Sequence, residues 1–395
     1  MSHVVADAMR ESMKRASWIR KMFEEGARLQ AEHGPENVFD FSLGNPILEP
    51  PAELRRALLL LLDDPRPGMH RYIPNAGLPE VRDSIAVQLA AETGLPYTAD
   101  HVVMTCGAAG ALNIALKSLL NPGDEVVAFA PYFVEYNTYA ANHGGKLVRA
   151  ATNDAFQIDI EALNRVVTER TRAVLVNSPN NPTGVVYGEE ALRALADFLR
   201  EAERRYGRPI VLLSDEPYRK LVFDGQTVPW IPPLYDHTVI VTSHSKDLGL
   251  AGERIGYAAV SPRTAECELL CEALVIANRT LGFVSAPALI QRVLPLLKGL
   301  SVDVAYYQRI RDRMLAPLRE MGYEMVTPGG AFYLFPKSPI PDDVAFVRAA
   351  QAERLLLVPG SGFDGPGYFR ISLAVKEDMV ERSLPVFDKV MRKFR

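Results

Sequence analysis

The sequence predicts an α/β protein: a mainly parallel sheet with helices on both faces, followed by a smaller α+β unit. Three observations predict it. Between residues 101 and 260, six short runs are almost wholly apolar, as strands buried on both faces are. Amphipathic helical stretches alternate with them, the pattern of strand–helix–strand crossovers. Past residue 300 that rhythm gives way to a long helix and several short strands.

In order, residues 6–33 carry an amphipathic helical pattern that Gly34-Pro35 breaks. A second helix is expected over about 52–62, after Pro50-Pro51. Residues 101–105 form the first β-rich run, and Gly107 opens a helix that stops at Asn121-Pro-Gly-Asp124. Residues 125–129 follow as the next strand. The runs 172–176 and 209–213 are separated by a helix with Leu192, Leu195, Ala196 and Leu199 on one face. Runs 238–241 and 255–260 complete the six. A helix over about 301–321 then leads to strands near 324–326, 332–335, 355–358 and 369–373, and to a closing helix. The N-terminal segment is expected to complete this second unit, so the large domain is 51–299 and the small one 1–50 with 300–395.

The 395 residues, 48% hydrophobic and 23% charged, suffice for two packed domains and exclude disordered or collagenous classes. Lys and Arg number 44 against 48 acidic residues, a net charge of −4 that gives no footprint for nucleic acid or an anionic membrane. Three cysteines imply no disulfide framework and a reducing compartment. The leucine run 58–62 ends at Asp63-Asp64 and is too short to span a bilayer. Asp7, Glu11, Glu24 and Glu25 speak against a signal or transit peptide, so a cytoplasmic location is expected. Cys267 and Cys271, with no histidine cluster, are not expected to bind metal.

Parallel sheets bind ligands beyond the carboxyl ends of their strands, which puts the loops after Thr105, Val176, Leu213 and Val241 on one functional edge. Residues 106–111 are small and open a helix, whose N–H groups and dipole suit a phosphate or, equally, close packing. In the loop 177–184 two prolines fix the path and Asn181 presents an amide; a rigid turn is the plainer reading. Asp215 ends an apolar strand and needs a cation or donors, either a protonated heterocyclic nitrogen or a structural Arg. Lys246 follows another strand; it is either a solvated charge or a nucleophile toward carbonyls, with Ser243, Ser245 and Arg254 suited to phosphate. Arg370, inside an apolar strand, calls for a bidentate carboxylate, from a ligand or from an internal acid. Together these describe one ligand: a phosphate, an aromatic ring with a basic nitrogen, an aldehyde and a second carboxylate. Pyridoxal 5′-phosphate with an amino acid fits all four.

From about Ser42 to Ala374 the sequence closely resembles the class I/II aminotransferases, pyridoxal-phosphate enzymes of fold type I. Asn181-Pro-Thr-Gly184, Asp215-Glu-Pro-Tyr218 and Ser243-x-Ser-Lys246 with Arg254 carry the resemblance most specifically. Tyr72-Ile-Pro-Asn-Ala-Gly77 and Arg370-Ile-Ser add to it. The resemblance implies a three-layer α/β/α large domain with a mainly parallel seven-stranded sheet, and ping-pong transfer of an amino group between an L-amino acid and a 2-oxo acid through a Lys246 aldimine. It implies that Lys246 also shuttles the α-proton and that Asp215 keeps the pyridine nitrogen protonated. Tyr218 and Asn181 would bond the phenolic oxygen, and Phe133 would stack on the ring. The backbone of Ala108 and Ala109, with Ser243, Ser245 and Arg254, would grip the phosphate. Arg370, with Asn181 and the backbone near Gly44, would hold the substrate. Tyr72 would reach the phosphate of a neighbouring subunit, which implies a homodimer with shared sites.

Two features depart from the family pattern. Ala108 and Ala109 offer no hydroxyl, and the segment 44–51 lacks the commoner Gly-x-Pro-x-Phe form, which leaves the substrate open. A lyase or decarboxylase on the same scaffold is the second reading. A regulator is the third, and the segment ahead of the match is too short for its DNA-binding unit. Arg279 is either a surface residue or a contact for an acidic substrate across a dimer interface. Trp18 and Tyr333 either roof the pocket or pack the core, and His244 is expected to pack behind the lysine.

Overall fold

Alternation along buried strands builds two cores, one on each face of a sheet. Val103, Val239, Val241, Ala258 and Val260 pack with Ala111, Ala115 and Leu274 from the helices on one side. Their neighbours Val102, Met104, Ile240 and Ala259 pack with Val81, Leu89 and Ile290 from helices on the other. A sheet apolar on both faces must be covered on both, and the result is a three-layer α/β/α unit.

The computed structural model describes residues 4–7, 9–10, 18–64 and 67–395, without the side chains of 18–24. In chain order its strands are β1 (Phe39–Asp40), β2 (Val102–Thr105), β3 (Glu125–Ala130), β4 (Lys146–Ala151), β5 (Thr171–Asn177), β6 (Val211–Asp215), β7 (Thr238–Ser243) and β8 (Gly256–Val260). β9 (Tyr333–Leu334), β10 (Leu355–Leu356), β11 (Val358–Pro359) and β12 (Phe369–Ser372) follow. Two units divide the chain: one runs from Pro46 to Tyr306 and takes in Pro328–Ala331, and the other holds the remainder.

The larger unit carries the seven-stranded sheet, in the order β2-β8-β7-β6-β5-β3-β4. Every neighbouring pair is parallel except the two that β8 makes, so β8 alone runs against the rest. Six of these strands overlap the apolar runs, though β6 is displaced toward Asp215 from the run 209–213. The seventh, β4, lies at the edge; Lys146 and Arg149 are exposed on it, which breaks any apolar run. The helix Glu189–Tyr206 buries Leu192, Leu195, Ala196 and Leu199, as its pattern predicts, and Gly207 closes it in the left-handed conformation.

In the smaller unit the N-terminal segment contributes β1, which pairs in parallel with β10. A separate antiparallel sheet has the order β11-β12-β9. Its core is aromatic: Phe346 lies 4.7 Å from Phe369, and Phe41 5.6 Å from Phe387, between ring centroids. The expected strand at 324–326 is absent. That stretch offers one pairing, Lys337 N–H to the Glu324 carbonyl at 2.8 Å, before the chain turns through Pro328-Gly-Gly into the larger unit. There Gly329 and Gly330 donate to the Gly184 carbonyl at 2.9 and 3.0 Å. Of the expected first helix, Trp18–His33 is helical, and residues 8 and 11–17 lie outside the described residues. Among the described residues no helix is long and apolar enough to cross a membrane.

Candidate active site

Strand register brings the expected loops to one edge. Asn177 pairs with Asp215 and Asp215 with Val241 across β5, β6 and β7. Ser243 and Thr105 both pair with Gly256 across β7, β8 and β2. Because β8 runs backwards, its amino end joins the carboxyl ends of the others, and Arg254 arrives at the same edge.

Asp215 is buried at that edge. The Tyr136 hydroxyl donates to its Oδ2 at 2.5 Å. Asn177 Nδ2 donates to its carbonyl at 2.9 Å and reaches Oδ2 at 3.4 Å. Oδ1 is also buried and accepts no hydrogen bond from any described residue. Burial pushes this carboxyl up to about 7, the Tyr136 bond works against the rise, and neighbouring Glu216 adds to it. A carboxylate so placed suits a cation arriving at Oδ1.

Beside it lies a cradle of the kind that takes a phosphate. The helix Gly107–Leu119 begins there with Gly107 at φ +72°, so the N–H groups of Ala108 and Ala109 fall in its first turn. Arg254 donates from Nη1 to the Ala251 carbonyl at 2.9 Å, and a Cβ on Gly107 would lie 3.1 Å from its Nη2. Ser243 and Ser245 are buried. At Gly256 a Cβ would collide with the Thr242 carbonyl and come within 3.0 Å of the Cα atoms of Gly107 and Ser243. Only glycine lets these three segments meet.

The turn carrying Lys246 is pinned on both sides of the lysine. His244 N–H donates to the Ile255 carbonyl at 3.0 Å, and Val302 N–H to the Asp247 carbonyl at 2.7 Å. Asp247 is buried with His244 Nδ1 at 3.3 Å and Lys220 Nζ at 3.1 Å. Burial alone would raise its carboxyl, but His244 and Lys220 beside it outweigh that and hold it below the usual range. Lys246 itself is half-buried. Tyr218 is buried beyond β6, and Asn181 N–H donates to Asn177 Oδ1 at 2.7 Å. Phe133 is partly buried and meets Tyr136 edge to face at 5.5 Å.

In the smaller unit Arg370 is buried on β12. Its Nη2 donates to the Ser42 carbonyl at 2.7 Å, and its guanidinium lies 4.5 Å over Tyr333 and 4.6 Å over Phe363. Tyr333 is thus a core residue of this unit. It also sets the place of Gly44, where a Cβ would collide with the Tyr333 hydroxyl.

The chain matches the family model of aminotransferase class I and II over residues 36–386. The chain belongs to the class I and II aminotransferases. It is 34% identical to a probable aspartate/prephenate aminotransferase of Thermus aquaticus, over 88% of this chain and 90% of that one. A crystal structure of an aminotransferase from Eubacterium rectale superposes with a TM-score of 0.97 at 38% identity, each chain covered in full. The aspartate aminotransferase of Thermus thermophilus with maleate gives 0.86 at 28% identity, over 99% of this chain and 100% of that one.

In this aminotransferase the larger unit therefore gathers Asp215, Asn181, Ser243, Ser245, Lys246, Arg254, Ala108 and Ala109 on neighbouring loops of one edge, while Arg370 and Gly44 belong to the smaller unit. Tyr72 is 93% exposed, in a segment tied to β2 by Met104 N–H donating to the Ala76 carbonyl at 2.8 Å. Arg279 is exposed in the last turn of the helix Cys267–Thr280, and the side chain of Trp18 lies outside the described residues. A cavity of about 320 Å³ lies on the other side of the Lys246 turn, among Glu216, Arg219, Trp230, His244 and Asp247. Neither Asp215 nor Lys246 lines it; within it Arg219 pairs with Glu216 at 3.0 Å and Lys220 with Asp247 at 3.1 Å. Sequence reasoning missed Tyr136 and Gly256. The spacing Phe133-x-x-Tyr136, which puts a phenol one turn past an aromatic at a strand end, was the available signal for the first.

Proposed function

We propose that this aminotransferase holds pyridoxal 5′-phosphate at the sheet edge and moves an amino group between an L-amino acid and a 2-oxo acid in two half-reactions. The observation that carries this reading is Asp215, a buried carboxylate with Oδ1 unpartnered among the described residues, at the same edge as a helix amino end flanked by Arg254. When bound, the cofactor supplies an electron sink for the charge that develops at the substrate's α-carbon.

The chain's own residues do the rest. Asp215 would keep a proton on the ring nitrogen of the bound cofactor, Tyr218 and Asn181 would donate to its phenolic oxygen, and Phe133 would cover its ring. The N–H groups of Ala108 and Ala109, with Ser243, Ser245 and Arg254, neutralise the phosphate. Lys246 would hold and move the proton at the substrate's α-carbon, acting as base and then as acid. Arg370 would take the substrate's α-carboxylate bidentately, and Asn181 and the backbone of Gly44 are further substrate-binding residues on this reading. Tyr72 serves the phosphate of a partner subunit; its exposure on the single chain supports a homodimer. The protein works in the cytoplasm on this reading. The names of its relatives make aspartate and prephenate the first substrates to assay.

The test is a single-turnover screen. The loaded full-length chain is mixed with each amino acid and its visible spectrum followed, with and without a 2-oxo acid. Conversion that needs the 2-oxo acid to complete the cycle is expected, and Lys246→Ala should bind cofactor without turning over. Full activity in that variant, or ammonia or carbon dioxide released without an acceptor, would overturn the assignment.

A further inference from the structure

The mechanism gives no role to Tyr136, the buried phenol that donates to Asp215. Tyr136, in the helix Glu135–Asn142, is 1% exposed and donates to Asp215 Oδ2 across a separation of 79 residues. Its neighbours hold the ring in place: it meets Phe133 edge to face at 5.5 Å and stacks on Tyr132 at 6.4 Å. Burial, with Asp215 beside it, raises its own ionisation well above the ordinary range, so the hydroxyl remains a donor at any working pH. Asn177 Nδ2 approaches the same carboxylate oxygen at 3.4 Å. Both donors therefore serve Oδ2, and Oδ1 is left over.

We propose that Tyr136 is a positioning residue for the cofactor: by donating to Oδ2 it fixes the rotation and the negative charge of Asp215, so that Oδ1 is presented to a protonated ring nitrogen. A carboxylate with both oxygens open to rotation would share its charge between two directions. With Oδ2 committed to the Tyr136 hydroxyl, the carboxylate oxygen left to face the ligand is a single one in a single place. Loss of the hydroxyl removes a charge-assisted bond from a desolvated anion, which then favours its neutral form. A protonated Asp215 no longer attracts a ring N–H⁺. The same turn also carries Phe133, so one short segment sets both the ring's stacking partner and the charge of its anchor.

This inference rests on the cofactor reading above and is tested through affinity for a ligand pair. The full-length chain, freed of bound small molecules, is titrated with pyridoxal 5′-phosphate and with its carbocyclic analogue, in which C–H replaces the ring nitrogen. Tyr136→Phe removes one oxygen and keeps the ring packing. It should weaken pyridoxal phosphate about tenfold and the analogue less than twofold. Tyr136→His, which keeps a donor, should retain more of the preference for the nitrogen-bearing ring than Tyr136→Phe does. Equal weakening of both ligands, or no weakening of pyridoxal phosphate, would overturn the role for Tyr136 while leaving the cofactor assignment standing. Failure of the wild-type chain to take up pyridoxal phosphate would overturn both.

Discussion

At the scale of the residue, the consequential group is a carboxyl with more burial than it has partners. In the cofactor-free chain burial lifts Asp215 to about 7, against the pull of Tyr136, whereas an unfolded Asp titrates near roughly 3.9. Between those values the folded chain keeps a proton that the unfolded chain has released. The contribution of Asp215 to stability is therefore greatest below about pH 4 and is lost as the pH rises to about 7. Asp215→Asn cannot ionise, so without cofactor it should be more stable than wild type at pH 8, on the order of 3 kcal/mol, with the difference shrinking toward pH 4. Urea unfolding at several pH values measures this; a difference constant with pH would rule the account out. Arg370→Leu should raise the amino-acid KM by about tenfold or more, with a smaller effect on kcat, because a charge-assisted pair to the substrate is lost. Residues of this kind were legible because their types are out of place: an acid, a lysine and an arginine at or inside apolar strands. Tyr136 was not legible. An aromatic among apolar residues reads as core, and only the fold shows that its hydroxyl meets an acid 79 positions away.

At the scale of the element, the sheet was readable where strands are buried on both faces and unreadable where one is not. The strand expected at 209–213 runs instead over Val211–Asp215. Its last residues are polar because they belong to the site, and an apolar pattern cannot count them. Edge strand β4 was invisible for the opposite reason, since its exposed positions carry Lys146 and Arg149. Glycine at the junction of β7, β8 and the helix at Gly107 is a requirement of space. Gly256→Ala forces the Thr242 carbonyl aside and should cost about 2 kcal/mol or more in stability, along with much of the affinity for inorganic phosphate. Thermal melting and phosphate titration check both. Stability lost with phosphate binding intact would mean that the cradle lies elsewhere.

At the scale of the whole molecule, the expectation is a pair of subunits that complete each other's sites. Tyr72→Phe and Lys246→Ala chains, refolded together, would form hybrids in which one site has both an intact lysine and the partner's intact Tyr72. Activity of the mixture at limiting cofactor should then exceed the mean of the two parents; activity equal to that mean would argue for sites built from one chain. The change in rhythm near residue 300 gave no sign that Pro328–Ala331 returns to the larger unit, since that depends on backbone pairing with Gly184 and Leu221. The reversed strand β8 has one more consequence, which concerns time. Ser243, Ser245 and Arg254 all lie in or beside the single hairpin of β7 and β8, closed by the pairing of Ser243 with Gly256. Asp215 must find Asn177 and Tyr136 over 38 and 79 residues. Short loops close at lower entropic cost, so the β7–β8 hairpin with Ser243 and Arg254 should gain amide protection early in refolding, and the contacts of Asp215, with the meeting of that hairpin and the helix at Gly107 across 148 residues, later. Pulsed hydrogen exchange would read that order directly.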